Sequence, residues 1–367
     1  GYGFLTENAD FAQMVEEHKI KFIGPSPEHI RQMGDKIQAK EIVKGLGIPV
    51  IPGSDGAIEN SRQVINIAKE IGYPVLIKAS AGGGGRGMKV AESENDIIEA
   101  YTTASSEAKS AFGNGTVYIE KFLQNPRHIE IQIMSDTFGN VLHLGERDCS
   151  IQRKHQKIIE ECPSPVLSNI DRDKIGNIVC KAIKEFGYEN VGTIEFLYEN
   201  GEFFFIEMNT RLQVEHPVTE MTTGIDLVKE QIKIAAGKKI SFTQEDIVIS
   251  GHAIECRINA EDPSTFLPSP GKIETYHVPG GPGIRIDTGL FSGSEVPPFY
   301  DSLISKLIVH GKNRNDCILR LKRAINEYVI GDIKTSIPLH EKILESSDFI
   351  SGKYSIRWLE EFVKNKL

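Results

Sequence analysis

Charged and amide side chains recur at every second position in the stretch FFFIEMNTRLQVEHP, residues 203–217. Side chains of an extended strand alternate between the two faces of a sheet, so the pattern predicts that Phe203 and Phe205 share one face with a polar row. The row consists of Glu207, Asn209, Arg211, Gln213 and Glu215. A strand that leaves the core for water is the simpler interpretation, but such faces usually carry Thr, Lys and Ser as well. Ionised groups and carboxamides in one row indicate a cleft that binds a charged ligand.

A second carboxylate, Glu195, lies on the strand that precedes this stretch in a predicted hairpin. A two-residue turn at 200–201 would place Glu195 across from Ile206, on the wrong face for a shared ligand. A three-residue turn at 199–201, with a bulge at its glycine, would place Glu195 diagonal to Glu207. Only the second register lets both carboxylates bind one hard cation, so a metal site here predicts the three-residue turn.

The glycine-rich stretch KASAGGGGRGMKV, residues 78–90, has the G-x-G-x-x-G spacing of dinucleotide-binding loops. A strand-like segment follows the glycines, whereas a Rossmann fingerprint requires a helix there to receive a pyrophosphate. Two strands joined by glycines form a mobile hairpin whose N–H groups can close over phosphates, and Lys78 ends the first strand. A mobile hairpin without a ligand is the alternative.

A basic run, ERDCSIQRKHQKIIEE, occupies residues 146–161 of an acidic chain. Such a run is typical of a solvated loop, and the alternative is an anion site that concentrates positive potential locally. Its basic members are Arg147, Arg153, Lys154, His155 and Lys157.

One function would explain these motifs together. A glycine flap with a lysine, paired carboxylates for a divalent cation and a basic cluster are what the handling of a nucleoside triphosphate requires. The chain has no G-x-x-x-x-G-K-[ST] loop and no H-R-D or D-F-G set, which argues against a P-loop enzyme and a protein kinase. A further strand, GHAIECRINAED, places Glu255, Arg257 and Asn259 on one face, which by itself is typical of a salt-bridged sheet.

Composition limits the class of protein. A chain of 367 residues is expected to form two or more domains, and a net charge of −9 argues against nucleic-acid binding. No apolar run approaches the length of a membrane span, and no signal peptide is recognisable. The five cysteines are odd in number and form no C-x-x-C pair, which favours reduced thiols in a cytosol-like compartment.

The predicted elements alternate between helices and strands. The glycine stretch lies in a small α/β unit, with a helix at Ser61–Ile71 and strands on both sides of the glycines. Further along, two strands flank a turn at 137–140, a helix is predicted at 171–186, and another follows at 224–236. The first residues show a helix at 10–18 and a strand at 20–26 and no initiator Met. Such a pair cannot bury both faces of a sheet, so we expect that the first domain is cut upstream.

The motifs as a set resemble those of biotin carboxylase, an ATP-grasp ligase, in the order of that family. They are GYGFLTEN, MGDK, KASAGGGGRGMKV, ERDCSIQRKHQK, IEMNTRLQVEHPVTE, RINAEDP, FLPSPGKI and YDSLISKLIVHG. The resemblance implies an α/β ATP-grasp fold with a mobile glycine-rich lid and a β-rich C-terminal domain, and with the N-terminal Rossmann-like domain largely missing. The implied domains are a remnant at 1–33, the ATP-grasp domain at 34–242 with its lid at about 51–122, and the C-terminal domain at 250–362.

The resemblance also assigns residues to roles. Those implied to bind ATP are Lys36, Lys78, Gly84, Gly85, Glu120, Lys121, Leu123, His128, Gln152, His155, Glu195 and Glu207. The implied ligands of magnesium or manganese, with two ions expected, are Glu195, Glu207 and Asn209. The implied bicarbonate pocket consists of Lys157, Arg211, Gln213, Val214 and Arg257. Glu215 is implied to be the general base, and Arg257 to face both bicarbonate and biotin. The implied catalytic set is therefore Lys157, Arg211, Glu215 and Arg257.

The implied function is the ATP-dependent carboxylation of biotin by bicarbonate within acetyl-CoA carboxylase. Biotin would be the substrate on a biotin carboxyl carrier protein, the other partners would be carboxyltransferase subunits and a second copy of the chain, and the compartment the cytoplasm, or a plastid if a transit peptide precedes the chain. The nearest alternative is the equivalent subunit of pyruvate or another acyl-CoA carboxylase. More distant alternatives are another ATP-grasp ligase that acts on a carboxylate, and an inactive ATP-binding regulatory subunit.

Overall fold

The computed structural model describes residues 1–54, 56–58, 60–79 and 88–366. The chain divides into two compact units. The larger unit combines Gly1–Ile48 with Arg127–Leu367, and the smaller unit is Pro49–Pro126. Among the described helices, none has both the length and the apolar character needed to cross a membrane.

Helices and strands alternate along the described chain, as the sequence predicts. The helices are α1 (Ala9–Glu17), α2 (Pro27–Gly34), α3 (Lys36–Gly45), α4 (Ser61–Ile71), α5 (Ile97–Phe112), α6 (Asn169–Phe186), α7 (His216–Thr223), α8 (Leu227–Ala235), α9 (Arg314–Glu327), α10 (Ile337–Glu345), α11 (Ser347–Ile350) and α12 (Trp358–Lys366), with a short 3-10 turn at Gln244–Asp246. The strands are β1 (Val75–Ala79), β2 (Met88–Ala91), β3 (Val117–Lys121), β4 (Arg127–Ser135), β5 (Val141–Arg153), β6 (Gln156–Cys162), β7 (Asn190–Glu199), β8 (Glu202–Asn209), β9 (His252–Asn259), β10 (Gly271–Lys272), β11 (Tyr276–His277), β12 (Ile284–Thr288), β13 (Glu295–Val296), β14 (Leu303–Gly311) and β15 (Val329–Ile330).

The smaller unit is a three-stranded antiparallel sheet, ordered β2-β1-β3, with α4 and α5 packed against it. Helix α4 has the predicted bounds because the Asn60 side chain caps its first turn and Gly72, at φ 76°, ends it. Val64 and Ala68 of α4 pack on Val75 and Ile77 of β1 in one apolar cluster. This pairing of a helix face with alternate strand residues gives the unit its own core.

The larger unit is built on an eight-stranded antiparallel sheet, ordered β12-β14-β9-β6-β5-β4-β7-β8. Strand β4, RHIEIQIMS, is buried along its whole length, with isoleucines on one face and His128, Glu130 and Gln132 on the other. A row of buried polar side chains requires partners on the neighbouring strands. The middle of this sheet therefore carries both the core and a polar constellation.

Three predicted elements differ in the structure. Residues 20–26 are not a strand, since no described strand pairs with them and α2 begins at Pro27. The basic run forms a β-hairpin rather than a loop, with the turn at 154–155 joining β5 to β6. The helix predicted at 224–236 begins only at Leu227, as α8, because Gly224, at φ 73°, ends helix α7 and Asp226 caps α8.

The predicted three-residue turn between β7 and β8 is wrong. The turn has two residues, Asn200 and Gly201, at φ 54° and 84°, and Glu199 pairs with Glu202. A bulge then restores a common face: Phe196 pairs with Phe205 but Glu195 pairs with Glu207, so Ile206 is the extra residue.

The bulge also overturns the predicted face of the two phenylalanines. Because Phe196 and Glu195 point to opposite faces of β7, Phe205 and Phe203 lie opposite to Glu207 rather than beside it. Phe204, which pairs with Leu197, shares the face of Glu207 instead, so the inserted residue exchanges the faces predicted for the three phenylalanines.

The left-handed backbone of Gly201, the second residue of the turn, predicts that a side chain at this position lowers the stability of the fold. Gly201→Ala meets no neighbour within 4 Å, yet its φ is 84°, so the free energy of unfolding should fall by about 1–2 kcal/mol. The matched variant Gly45→Ala, also in open space but at the end of helix α3 without a left-handed φ, should be neutral or stabilising. Urea unfolding of both variants measures the difference, and equal effects would contradict the turn conformation.

Candidate active site

Lys157, on β6, lies among three buried glutamates from three other parts of the larger unit. Its Nζ is 2.5 Å from Glu130 Oε2 on β4, 2.8 Å from Glu195 Oε1 on β7, and 2.6 Å from Glu215 Oε1 at the start of α7. Burial acts to lower the pKa of Lys157, but the three carboxylates raise it well above its usual value. The ammonium is therefore charged at neutral pH and holds the three elements together.

The buried cations in turn lower the pKa values of the glutamates. Burial acts to raise the pKa of Glu195, and Lys157 with His128 outweighs it and lowers that pKa. The pKa of Glu130 is lowered in the same way by Arg147 and Lys157, against the effect of burial. All three carboxylates are ionised at neutral pH because cations are fixed beside them.

Arg147 is a second buried cation in the same network. Its guanidinium is fully buried and donates to Glu130 Oε1 and, at 2.9 Å, to Gln213 Oε1. Its other acceptors are Gln132 Oε1, Thr193 Oγ1 and Thr219 Oγ1. The solvated-loop interpretation is wrong for Arg147, because its position on β5 directs it into the core. It instead orients Gln213, whose Nε2 donates to Glu195 Oε1 at 2.7 Å.

The predicted metal ligands meet at the end of the β7–β8 hairpin. Glu195 and Glu207 are directly opposite each other, and Asn209 Nδ2 donates to Glu195 Oε1 at 3.0 Å. Glu207 Oε2 lies 3.6 Å from the Nζ of Lys36, a predicted phosphate ligand. Carboxylate and amide oxygens on one sheet face form a donor set that suits a hard divalent cation, so the residues fit such an ion.

Arg211 is bound by Glu7 and Asn209. Its Nε donates to Glu7 Oε2 at 2.8 Å, and its Nη2 donates to Asn209 Oδ1 at 3.0 Å. Glu7 also accepts from the backbone N–H of Thr210, so it fixes the segment that leaves β8. Glu7 was not among the predicted site residues, because it lies some two hundred positions earlier in the chain and no local pattern identifies it.

Glu215 is bound by a cation on each of its two oxygens. Lys157 contacts Oε1, and Arg257 Nη2 donates to Oε2 at 3.0 Å. Burial acts to raise the pKa of Glu215, and Lys157 and Arg257 help to lower it below its usual value. Val214 contributes its carbonyl, which accepts from Lys306 Nζ at 2.9 Å. The site thus holds an ionised carboxylate between two cations that can also attract a small anion.

The predicted two-residue period does not extend to Glu215. Strand β8 ends at Asn209, and the chain turns through residues 210–215 before α7 begins at His216. Gln213 and Glu215 reach the site from this turn rather than from a strand face. Pro217, at the second position of α7, favours the start of a helix there.

The remaining predicted nucleotide residues are distributed over both units. In the larger unit, His128 Nε2 lies 3.0 Å from Glu195 Oε2. Burial acts to lower the pKa of His128, but the charge of Glu195 helps to raise that pKa to about 9. Gln152 is buried and lies opposite Lys157 in the register of β5 and β6, whereas His155 is exposed in the β5–β6 turn.

The smaller unit contains the other predicted nucleotide residues. Lys78 Nζ donates to Glu120 Oε2 at 2.6 Å, Lys121 Nζ donates to the carbonyls of residues 72 and 73, and Leu123 is buried. Gly84 and Gly85 lie outside the described residues.

Glu130 and Glu160 also belong to the site and were not predicted. Glu130 could have been found, because HIEIQIMS alternates polar and apolar residues as the polar row does. Glu160 accepts from Arg257 Nε at 2.5 Å, a contact between strands far apart in sequence.

The chain matches three family models. They are the carbamoyl-phosphate synthase L chain ATP-binding domain at residues 35–243, the biotin carboxylase C-terminal domain at 255–361, and the biotin carboxylase N-terminal domain at 1–30.

Similar proteins cover almost the whole chain. Biotin carboxylase of Haemophilus influenzae is 57% identical over 98% of this chain and 81% of the relative. A pyruvate carboxylase subunit of Methanothermobacter thermautotrophicus is 54% identical over 99% of this chain and 74% of the relative.

The fold also matches a solved structure from Hydrogenobacter thermophilus. It is the biotin carboxylase domain dimer of 2-oxoglutarate carboxylase with MgADP, ADP and bicarbonate. The match has a TM-score of 0.88 and 52% identity, over 99% of this chain and 80% of that one.

The Lys157 cluster predicts a pH-dependent loss of stability. Lys157→Gln leaves Glu130, Glu195 and Glu215 without their common cation, so the free energy of unfolding should fall by about 3–5 kcal/mol at pH 8. The native carboxylates have lowered pKa values, so they contribute stability above about pH 4.3 that is lost only as the pH falls through those lowered values. In Lys157→Gln the pKa values of these carboxylates rise. The loss in the free energy of unfolding relative to the wild type should therefore become smaller as the pH is lowered from 8 to 5.

Denaturant unfolding at several pH values measures this deficit. Lys154→Gln is the matched control, because Lys154 is exposed in the adjoining turn, and its effect should stay within about 0.5 kcal/mol. A deficit for Lys157→Gln that does not change with pH would contradict the assignment of three ionised partners.

Proposed function

The chain belongs to the biotin carboxylase family, and we propose that it uses ATP and bicarbonate to carboxylate biotin on a carrier protein. It is an enzyme, an ATP-grasp ligase, and its fold is the mixed α/β fold of the solved biotin carboxylase structures. The observation that carries the proposal is the position of the Glu215 carboxylate between Lys157 and Arg257. That arrangement supplies a base and two cations to one small anion.

In the first step, bicarbonate binds to Lys157 and Arg257, and the polar segment around Gln213 and Val214 completes its pocket. Glu215 accepts the bicarbonate proton, and the resulting oxyanion attacks the γ-phosphorus of ATP. The bond from this phosphorus to the ADP oxygen breaks, which gives carboxyphosphate and ADP. Arg211, two residues from Asn209, joins the pocket when its pair with Glu7 opens.

In the second step, carboxyphosphate gives CO2 and phosphate, and phosphate removes the proton from biotin N1′. The N1′ of the biotin enolate then attacks CO2, and Arg257 stabilises the negative charge of the enolate. A guanidinium suits this role because it remains charged and donates in a fixed plane.

The residues proposed to contact ATP follow the family resemblance. In the larger unit the proposed contacts are Lys36, His128, Gln152 and His155, with Glu195 and Glu207. In the smaller unit they are Lys78, Glu120, Lys121 and Leu123, with Gly84 and Gly85. Lys78 is already oriented by Glu120 at 2.6 Å. Glu195, Glu207 and Asn209 would hold the Mg²⁺ or Mn²⁺ ions, which neutralise phosphate charge when bound.

The domain arrangement is proposed to follow the family. Residues 1–33 belong to an N-terminal domain, residues 34–242 form the ATP-grasp domain with its lid at about 51–122, and residues 250–362 form the C-terminal domain. The bounds of the matched family models support this division. A homodimer is proposed because the Hydrogenobacter relative is described as a dimer.

Acetyl-CoA carboxylase is the proposed holoenzyme, with a biotin carboxyl carrier protein and carboxyltransferase subunits as partners. Pyruvate carboxylase is the alternative, favoured by the 54% identity to the Methanothermobacter relative. Reconstitution with carrier and carboxyltransferase subunits, assayed with acetyl-CoA, pyruvate and 2-oxoglutarate in parallel, distinguishes these assignments. Carboxylation of a keto acid but not of acetyl-CoA would overturn the first.

The activity itself has a direct test. ATP hydrolysis should depend on bicarbonate and should increase when free biotin is added. Hydrolysis that requires another carboxylate would indicate a different ATP-grasp ligase, and no hydrolysis at all would favour the regulatory alternative.

Arg257→Ala separates the two steps. Biotin carboxylation should fall at least about 100-fold, because enolate stabilisation is lost, whereas bicarbonate-dependent ATP hydrolysis should fall by no more than about 10-fold. Arg323→Ala, which removes an exposed guanidinium paired with Glu327, is the control and should leave both rates unchanged. Equal losses of both activities in Arg257→Ala would contradict a main role of Arg257 in the second step.

A further inference from the structure

Two buried glutamates face each other behind Arg257. Glu160 on β6 and Glu255 on β9 are directly paired across the sheet, and both are fully buried. Arg257 Nε donates to Glu160 Oε1 at 2.5 Å. The other three oxygens, Glu160 Oε2 and both oxygens of Glu255, accept no hydrogen bond from any described residue. Buried carboxylate oxygens without donors are costly and require an explanation.

No cation around Glu255 in the described part of the chain is directed at it. Lys306, on the neighbouring strand β14, donates to the Val214 carbonyl at 2.9 Å and lies 3.6 Å from Asp287 Oδ2. Arg257, two positions along β9, is bound by Glu160 and Glu215.

Arg285, on β12, is a further cation on this side of the sheet, and it is bound by Glu220 and Asp287. The groups nearer to Glu255 are anionic, neutral or apolar. From α7 come Glu215, an anion, and His216, whose pKa is lowered to about 4 mainly by burial. The apolar neighbours are Cys162, Val218, Ala253 and Ile308. An ionised Glu255 would therefore lie between apolar side chains and other anions.

We propose that Glu255 is a neutral carboxylic acid that shares its proton with Glu160 and thereby positions the Arg257 guanidinium. One proton between the two side chains removes their repulsion and gives Glu160 Oε2 a donor. Burial first, and then the charge of Glu160, raise the pKa of Glu255 well above its usual value, which agrees with this arrangement. The pKa of Glu160 is itself raised to about 7, mainly by burial.

The consequence for Arg257 follows from the geometry. Glu160 is fixed on one side by Arg257 and on the other by Glu255, so it cannot rotate away from the guanidinium. Arg257 then presents Nη2 to Glu215 while its Nε stays bound. The positioning role rests on the proposed function of Arg257, whereas the protonation of Glu255 does not.

Thermal unfolding as a function of pH tests the protonation. An unfolded glutamate releases its proton near pH 4.3, whereas a neutral Glu255 keeps its proton in the folded chain, so the wild type should lose stability relative to Glu255→Gln as the pH rises. Glu255→Gln should therefore melt at least about 3 °C above the wild type at pH 8.5, and the two should converge near pH 5. A variant that melts at or below the wild type at pH 8.5 would overturn the proposal.

Glu161→Gln is the matched control, because Glu161 follows Glu160 on the same strand but faces the other side. Its carboxylate accepts from Arg314, His252 and Tyr354. Burial acts to raise its pKa, but His252 and Arg314 lower it to about 2. This variant should melt below the wild type at pH 8.5, the opposite of Glu255→Gln. The same sign for both variants would show that the pH effect is not specific to Glu255.

Activity measurements test the positioning. Gln keeps a hydrogen-bond donor for Glu160, whereas Leu does not, so Glu255→Gln should keep biotin carboxylation within about 3-fold of the wild type and Glu255→Leu should lower it at least about 10-fold. Bicarbonate-dependent ATP hydrolysis of folded Glu255→Leu should change less than biotin carboxylation. Equal activities of the two variants would overturn the positioning role. Absence of both activities in the wild type would instead refute the proposed function and leave the unfolding result valid.

Discussion

The larger unit depends on the contacts that the ammonium of Lys157 makes with three buried glutamates. This ammonium is the cation that glutamates from β4, β7 and the start of α7 share, all of them buried, and these elements are far apart in sequence. Uncompensated buried carboxylates would oppose folding, because transfer of each charge from water costs several kcal/mol. The cation therefore fixes the register of the sheet and the start of α7 relative to it. In the proposed function the same ammonium binds bicarbonate, so one side chain would serve both a structural and a chemical role.

Arg147 adds a second buried cation to the same network of hydrogen bonds. Each of its nitrogens is committed to a named oxygen, including one from Glu130 and one from Gln213. Gln213 can then direct its amide N–H at Glu195, whose other oxygen faces His128. A planar guanidinium imposes these directions more strictly than an ammonium would. The predicted site residues are thus oriented by partners that are buried in the core.

Local periodicity predicted only part of this arrangement. The alternation of β4 and β8 and the capping residues of α4 and α9 lie in short stretches, so the elements they specify could be predicted. The turn at Asn200-Gly201 and the bulge at Ile206 could not, because two registers were compatible with the sequence and packing selects one. The pairs of Arg211 with Glu7 and of Arg257 with Glu160 join distant segments, and no spacing in the chain encodes them. The family resemblance supplied the predicted site residues, whereas the partners that orient them depend on the three-dimensional fold.

Glu160 and Glu161 show how one residue type can serve two purposes at adjacent positions. Because neighbouring side chains of β6 point to opposite faces, Glu161 meets Arg314, His252 and Tyr354 on the side of helix α9, and its charge is fully compensated. Glu160 meets Arg257 and an uncompensated Glu255 on the side of α7. The first environment favours the ionised form and contributes to stability, and the second favours a retained proton and opposes stability at high pH. A buried arrangement that opposes stability is tolerated where it orients a functional group, and in the proposed function Arg257 is that group.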